Sequence, residues 1–130
     1  MMTQSAFYQA KLDYETDSWD LSEMIKNQEE IVIIDARSPE AYTQEHIPTA
    51  INFPHRNMSE ESTKVLDTNK TYITYCDGIG CNASTKGALK LSTLGFNVKE
   101  LLGGLNWWKH DGHTTEGRQS SAGKKVSCSC

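Results

Sequence analysis

Two hydrophobic periodicities alternate along this chain, one typical of strands and one typical of helices. The run IVIID over residues 31–35 is apolar, continuous and β-branched, which is typical of a strand buried on both faces of a parallel sheet. The segment TYITYC over 71–76 instead alternates, with Tyr72, Thr74 and Cys76 on one face. Both segments are followed by polar turns and then by helical spacing.

Further elements are predicted on either side of these two strands. Asp17 or Ser18 can cap a helix over 17–30, in which Leu21 and Met24 recur at helical spacing. The other predicted elements are an edge strand over 12–16, a helical turn from Ser38-Pro39, a strand over 50–53, helices over 58–69 and 86–94, a strand over 97–102 and a helix over 105–112. Strands that alternate with helices in this way predict a small α/β domain with a parallel sheet.

The chain length of 130 residues fits one domain with a single core. Residues 1–11 are polar and form a predicted N-terminal extension that is frayed or weakly helical. The α/β domain is expected over 12–116. From residue 117 to residue 130 small and charged residues dominate, and because they bury little surface we expect a flexible tail.

Composition bears on partners and location. The net charge of −4 gives no reason to expect nucleic acid as a partner. We expect no membrane association, because the chain contains no run of eighteen apolar residues. The N-terminus has no basic start followed by an apolar core, so we predict no secretory signal and a cytoplasmic location.

Cysteine usage adds candidate chemistry at positions 76, 81, 128 and 130. In a reducing cytosol, thiol chemistry or metal binding is favoured over structural disulfides. The spacings do not form a paired C-x-x-C knuckle, so we expect no metal. Cys128 and Cys130 could relay sulfur or bind a soft metal, but two thiolates alone make an incomplete site, and we favour no role for them.

Cys76 stands at the position of a nucleophile. It ends a predicted strand and begins a loop in which Gly78 and Gly80 are expected to take positive φ. Asn82 or Ser84 can then cap the following helix. Loop N–H groups and the positive end of a helix favour a thiolate over a thiol, which indicates a reactive cysteine rather than a small buried hydrophobe.

Three ordered stretches resemble the rhodanese (thiosulfate sulfurtransferase) family. The first is IVIIDARSPEAYTQEHIPTAINFP, with its strand, Asp-x-Arg and His-Ile-Pro segment. The second is TYITYC with its loop, and the third is LLGGLNWWKHDGHTTEG, with a Gly-Gly-x-x-x-Trp pattern. Together they span about residues 31–117. The resemblance implies a three-layer α/β fold, a central parallel sheet of about five strands flanked by helices.

The resemblance also implies an activity and its residues. Family enzymes take a sulfane sulfur from thiosulfate or another persulfide onto a cysteine and pass it to cyanide, a thiol or a protein. On this mapping Cys76 is the catalytic nucleophile, the partners are small sulfane-sulfur donors or thiol and protein persulfide partners, and no cofactor is expected. The substrate-binding loop comprises Asp77, Gly78, Ile79, Gly80, Cys81, Asn82 and Ala83. Oligomeric state is not predicted.

The chain departs from the family pattern at two places. Thr49 stands where the family usually has glycine, which we interpret as a tolerated turn variation. The loop is a few residues longer than in usual single-domain members, and it carries Cys81. That thiol could resolve a Cys76 persulfide into an intraloop disulfide, carry a second persulfide, or be a bystander. Lys86, in the first turn of the next helix, is a candidate anion contact or a surface lysine.

The arginine, histidine and tryptophan residues at other positions are interpreted as structural rather than catalytic. In the family the position of Arg37 is mostly structural, so we expect Arg37 to pair with a carboxylate such as Glu40 or Glu45. The four histidines, His46, His55, His110 and His113, are scattered and are interpreted as surface or turn residues. For Trp107 and Trp108, we expect one to pack in the core and the other to cover the surface.

Two alternative functions remain at this point. Phosphatases and arsenate reductases of related folds need an arginine at the far end of the cysteine loop, and DGIGCNAST after Cys76 contains none. Phosphoryl chemistry is therefore disfavoured. A thiol redox sensor or interaction module built on Cys76 and Cys81 stays open as the alternative to sulfur transfer.

Overall fold

A computed structural model describes residues 1–122. Over that range strands and helices alternate, as the hydrophobic pattern predicts. In chain order the elements are α1 (Gln4–Tyr14), β1 (Glu15–Thr16), α2 (Ser18–Lys26), β2 (Ile31–Asp35), α3 (Pro39–Gln44), β3 (Ile51–Asn52), two 3₁₀ segments (His55–Asn57 and Ser62–Val65), β4 (Thr71–Tyr75), α4 (Ala83–Thr93), β5 (Asn97–Leu101) and α5 (Gly104–His110).

The strands form one parallel sheet in the order β1-β5-β4-β2-β3. β4 lies at the centre, and its register against β2 pairs Ile73 with Ile33 and Tyr75 with Asp35. Both strands of the central pair are buried on two faces. The continuous apolar run of β2 predicts this burial, whereas the alternating pattern of β4 does not. The predicted α/β class with a parallel sheet of about five strands is confirmed.

Helices cover both faces of the sheet and give the predicted three layers. One apolar cluster lies beneath α2 and α5 and is formed by Leu21, Ile33, Ile47, Ala50, Ile73, Tyr75, Leu101, Leu105 and Trp108. The opposite cluster lies beneath α4 and is formed by Ile34, Met58, Tyr72, Leu91, Phe96 and Val98. Burial of apolar area on two faces is the main stabilising contribution of such a sheet.

Helix starts follow local sequence signals. The Asp17 side chain accepts a hydrogen bond from the backbone of Asp20 and caps α2, as predicted. Ser38 caps α3, with Pro39 at the first helical position. Asn82 precedes α4 but makes no side-chain capping hydrogen bond, so the predicted cap of this helix is wrong.

The helix predicted over 58–69 is replaced by short 3₁₀ turns. The reason is competition from serine hydroxyls. Ser62 Oγ donates to the backbone oxygen of Asn57 at 2.6 Å, and Ser59 Oγ accepts from the Ser62 backbone at 3.0 Å. Such local bonds offer the backbone an alternative to the helical ladder.

Both ends of the predicted domain differ from expectation. The N-terminal extension is mostly the helix α1, capped by Thr3, and the edge strand is confined to β1. At the other end, backbone N–H groups of Arg118 and Gln119 donate to Thr43 and Gln44, so the packed region continues past the predicted boundary at 116. The remainder of the predicted tail, with Cys128 and Cys130, lies outside the described residues.

Among residues 1–122 no helix combines the length and the apolar character that crossing a membrane requires.

Candidate active site

Cys76 lies directly after the central strand β4, at the carboxyl edge of the sheet. Its side chain is buried, with 1% of its surface exposed. Open parallel sheets present their ligand sites at this edge, because the loops that leave the strands converge there. The position is the one that the sequence predicts for the nucleophile.

The loop from Asp77 to Ala83 links Cys76 to α4. Its backbone turns where the N–H of Cys81 donates to the carbonyl of Gly78 at 3.2 Å. Neither Gly78 nor Gly80 has a positive φ, so the conformational reason predicted for these two glycines is wrong. A Cβ at Gly78 would lie 2.7 Å from the side-chain amide nitrogen of Asn106, the end of a flexible side chain that can move aside.

Cys76 and Cys81 are joined by a disulfide, with their Cα atoms 6.2 Å apart. The sequence favours thiol chemistry over structural disulfides but leaves open an intraloop disulfide between these two cysteines, and the structure has this disulfide. Cys81 is half-buried, whereas Cys76 is buried. The loop is thus described in its oxidised form, in which neither sulfur is a nucleophile.

Both cysteines line an open cleft of about 450 Å³. Its other walls come from the turn after β2 and from the 3₁₀ segment at His55. Two cationic side chains line the cleft, Arg37 and Arg56, against one carboxylate, Asp77. A small anion could therefore sit within reach of the cysteine sulfurs.

Positive charge also gathers behind this cleft. Burial, followed by the charges of Lys90, Lys86 and Arg56, lowers the pKa of His55 below its ordinary value. Lys90 Nζ donates to the backbone oxygen of His55 at 2.8 Å. Lys86 and Lys90 lie four residues apart on one face of α4, but Lys86 does not line the cleft itself. The sequence alone does not indicate that Lys90 and Arg56 add positive charge at this site.

Arg37 ties the end of β2 to the cysteine loop. Its Nη2 lies 2.7 Å from Asp35 Oδ2, and its Nη1 lies 2.9 Å from Asp77 Oδ1. The expected carboxylate partners, Glu40 and Glu45, are wrong, because Glu45 offers only its backbone oxygen, at 2.6 Å. Burial lowers the pKa of Arg37, but Asp35 outweighs that effect and the net shift is upward. Arg37 thus stays charged.

Tyr75 completes this buried network beneath the cleft. Its hydroxyl donates to Asp35 Oδ2 at 2.8 Å and accepts from the backbone N–H of Ile47 at 3.1 Å. Burial and the charge of Asp35 raise the pKa of Tyr75. The phenol therefore stays protonated and holds the Asp35 carboxylate in place for Arg37. The sequence does not indicate this role of Tyr75, because Tyr75, Asp35 and Arg37 lie on different strands and turns.

The first turn of α5 is hydrogen-bonded to the backbone of Cys76, the candidate nucleophile. The N–H of Leu105 donates to the carbonyl of Cys76 at 2.9 Å, and the N–H of Asn106 donates to that of Asp77 at 2.8 Å. Gly104 has φ +58°, and a Cβ there would overlap the Cys76 carbonyl oxygen. Glycine is therefore required at this point of closest approach.

The remaining candidates lie away from the cleft. His46 stacks on Tyr42 and bonds to its backbone oxygen, and His113 lies against Trp108. His110 is exposed beside Trp107. Trp108 is buried in the core, whereas Trp107 is 44% exposed, which confirms the expected division of the two tryptophans.

Comparison with known proteins agrees with this architecture. The family model described as the rhodanese-like domain matches residues 19–111. Thiosulfate sulfurtransferase PspE of Escherichia coli is 40% identical over 73 residues, covering 55% of this chain and 68% of that protein. Thiosulfate sulfurtransferase GlpE of Coxiella burnetii is 33% identical over 100 residues, covering 75% and 89%.

A solved structure gives the same result. The crystal structure of the BH2092 protein from Bacillus halodurans superposes with a TM-score of 0.84 at 47% identity, covering 88% of this chain and 84% of that one. The family match spans more than half of the chain, and it includes the central strand, the cysteine loop and the first turn of α5. This chain therefore belongs to the rhodanese-like domain family and has thiosulfate sulfurtransferases among its relatives.

Proposed function

We propose that this protein is a sulfurtransferase that carries a sulfane sulfur on Cys76. The observation that carries the proposal is the position of Cys76, which lies at the carboxyl end of the central strand and lines a cleft with Arg37 and Arg56. The thiosulfate sulfurtransferases among its relatives point to the same reaction class.

The proposed first half-reaction uses thiosulfate. The Cys76 thiolate attacks the outer sulfur of thiosulfate, and a new S–S bond forms at Cys76. The S–S bond of thiosulfate breaks, and its electron pair leaves on sulfite. In the second half-reaction a thiophilic acceptor, such as cyanide or a thiol, takes the outer sulfur and returns Cys76 to the thiolate.

Every step of the proposed reaction involves an anion, and the cleft carries positive charge that favours anions. Thiosulfate, sulfite and a persulfide are all negative, so the charge of Arg56 and the N–H groups of the loop from Asp77 to Ala83 favour them. The Arg37 guanidinium is already paired with Asp35 and Asp77. Lys86 adds positive charge at the start of α4 and attracts the anion from outside the cleft. This arrangement also favours the Cys76 thiolate over the thiol.

The reaction needs the reduced form of the loop. A reducing compartment such as the cytoplasm would keep Cys76 available, and we place the protein there. Its partners in this proposal are a small sulfane-sulfur donor and a thiol or protein acceptor, with neither nucleic acid nor a membrane involved.

A sulfur-mapping experiment tests the proposal. Reduced protein is freed of reductant under anaerobic conditions and incubated with thiosulfate, and the peptide carrying one added sulfur is identified by mass spectrometry. Thiosulfate:cyanide turnover is measured in parallel for wild type, Cys76→Ser and, as a matched cysteine control, Cys130→Ser. We expect turnover to fall at least 100-fold in Cys76→Ser only. The assignment would be contradicted if no cysteine gained sulfur and no hydrosulfide were released, or if Cys76→Ser carried sulfur on Cys81 with turnover retained.

The disulfide between Cys76 and Cys81 favours a second candidate, a thiol redox sensor. In that case mild oxidant would close the disulfide quickly, while thiosulfate would add no sulfur to the reduced protein. Mass spectra of Cys81→Ser separate the two functions, because a sulfurtransferase gains one sulfur from thiosulfate in this variant and a redox sensor gains none.

A further inference from the structure

We propose that Cys81 is a resolving thiol, which attacks the Cys76 persulfide and releases its sulfur as hydrosulfide. This inference rests on the proposed sulfurtransferase function and names a product and a co-substrate for the same site. The product is hydrosulfide, and the co-substrate is a dithiol reductant that reopens the resulting disulfide.

The disulfide itself shows that Cys81 can reach the required atom. Its sulfur is bonded to the sulfur of Cys76, which is the inner sulfur of a persulfide. The Cα separation of 6.2 Å lies within the usual range for disulfides. The flanking elements β4 and α4 are intact in this state, so the loop closes without unfolding the domain.

Attack at the inner sulfur distinguishes this role from the other two for Cys81. A second persulfide carrier would have to attack the outer sulfur and would end with sulfur on Cys81. A bystander would contact neither atom. Of these three roles for Cys81, the bond from Cys81 to the side chain of Cys76 matches the product of attack at the inner sulfur.

The step balances in atoms and electrons. The Cys81 thiol loses its proton, and its sulfur forms a bond to Cys76 Sγ. The bond between Cys76 Sγ and the sulfane sulfur breaks, and the electron pair and one proton leave with that sulfur as hydrosulfide. Cys76 and Cys81 are thereby oxidised to the disulfide, and the sulfane sulfur is reduced.

The exposure of the two sulfurs indicates how the disulfide is reopened. Cys76 is buried, whereas Cys81 is half-buried, and both line the cleft. An external dithiol therefore attacks Cys81 and forms a mixed disulfide there, and Cys76 leaves as a thiolate. The second thiol of the reductant then attacks the mixed disulfide and releases Cys81, and the reductant leaves as a disulfide. The nucleophile is the first group restored.

A single-turnover experiment without added thiol tests this role. The 130-residue chain with Cys128→Ser and Cys130→Ser, which removes these two thiols, is reduced, desalted under anaerobic conditions and mixed with thiosulfate. Hydrosulfide is measured with a sulfide-specific dye, and intact mass is followed in time. A sample without thiosulfate reports any disulfide that forms by other routes. The same background with Cys81→Ser and with Cys76→Ser completes the set.

We expect the Cys81-containing protein to release about one hydrosulfide per chain, with the Cys76–Cys81 disulfide appearing at the same rate. Cys81→Ser should hold a stable persulfide and release hydrosulfide at least tenfold more slowly, because the intramolecular attack is lost. A dithiol added after this thiol-free phase should reopen the Cys76–Cys81 disulfide and permit a second round of sulfur loading. It is left out of the first phase because a dithiol also takes sulfur directly from a persulfide.

The failures of the two proposals differ. If Cys81→Ser gains a sulfur but the protein with Cys81 keeps its persulfide and releases no hydrosulfide, the resolving role is overturned while sulfur transfer stands. If no variant gains a sulfur from thiosulfate and none releases hydrosulfide, both proposals are overturned. Hydrosulfide release that is equal with and without Cys81 also overturns the resolving role.

Discussion

Arg37 holds the residue next to the candidate nucleophile, because its Nη1 donates to Asp77 Oδ1 at 2.9 Å. The rest of the guanidinium faces the buried carboxylate of Asp35, which is fully shielded from solvent. The exposed end of this bridge contributes little stability by itself, since Asp77 is 64% exposed. Its effect is positional, because it fixes where the cysteine loop leaves β4.

Replacing Arg37 by lysine tests this bridge. Arg37→Lys keeps the charge but cannot bind Asp35 through two nitrogens and Asp77 through a third. We expect a loss of about 1–3 kcal/mol in the free energy of unfolding, measured by urea denaturation. Sulfur loading from thiosulfate should also slow several-fold. Arg118→Lys, at an exposed position, should stay within about 0.5 kcal/mol of wild type; equal effects of the two variants would contradict the proposed bridge.

Gly104 is expected to tolerate no side chain. Gly104→Ala adds a Cβ against the Cys76 carbonyl at a positive φ, so it combines a clash with backbone strain. We expect a loss of at least about 2 kcal/mol in unfolding free energy and a marked loss of sulfur loading. Gly95→Ala is the matched control, with positive φ but nothing within 4 Å of the added atom. It should cost about 1 kcal/mol. A smaller loss for Gly104→Ala than for Gly95→Ala would refute the clash.

Thr49 is a site where stability can be gained. It has φ +71°, a left-handed conformation that is costly for a β-branched residue. Thr49→Gly should remove this strain and lose part of the gain to the greater freedom of glycine in the unfolded chain. We expect a net gain of about 0.5–1 kcal/mol, seen as a higher Tm. Thr43→Gly, within α3, should instead destabilise.

His55 should make stability depend on pH. Burial and the nearby cations lower its pKa in the folded protein from the ordinary value of 6.5. Between the folded pKa and 6.5 the unfolded chain binds more protons, so stability falls as pH drops through this window and is regained above it.

Urea denaturation from pH 5 to pH 8 measures this slope. His55→Asn should flatten it. Arg56→Gln, which removes one of the charges that lower the pKa of His55, should reduce it in part. An unchanged slope in His55→Asn would assign the pH dependence to other groups, including His113, whose pKa is also lowered by burial.

Charge at the cleft should be visible in donor binding. Arg56 lines the cleft, whereas Lys86 lies behind it, so Arg56→Gln should raise the KM for thiosulfate more than Lys86→Gln. We expect about a fivefold rise for Arg56→Gln at low salt, which shrinks as ionic strength increases. Lys64→Gln, on the 3₁₀ segment Ser62–Val65, is the matched lysine control. An equal rise in all three variants would indicate a general charge effect only.

The fold was largely predictable from local signals. β2 is a continuous run of apolar residues, and β4 has alternating apolar residues of β-branched and aromatic type. Asp17 and Ser38 stand where their side chains cap helices. These features depend on neighbours in the chain, so the sequence shows them directly.

The position of the candidate nucleophile Cys76 at the end of β4 was predictable, but the contacts that support it were not. The bond between Arg37 and Asp77 joins residues forty positions apart, and no local pattern marks it. The demanding glycine proved to be Gly104 rather than Gly78 or Gly80, because the limit comes from α5 approaching Cys76. The spacing of Cys76 and Cys81 permits a disulfide between them, but the predicted cytoplasmic location favours thiol chemistry over disulfides.

The hydrogen bonds from Leu105 and Asn106 to the backbone of Cys76 and Asp77 also bear on the order of biosynthesis. Cys76 is translated well before the segment that holds its carbonyl. A nascent chain that ends at β5 has the cysteine but lacks both of these bonds. The candidate site is therefore complete only after α5 has left the ribosome, and a shorter nascent chain carries Cys76 without these two supporting hydrogen bonds.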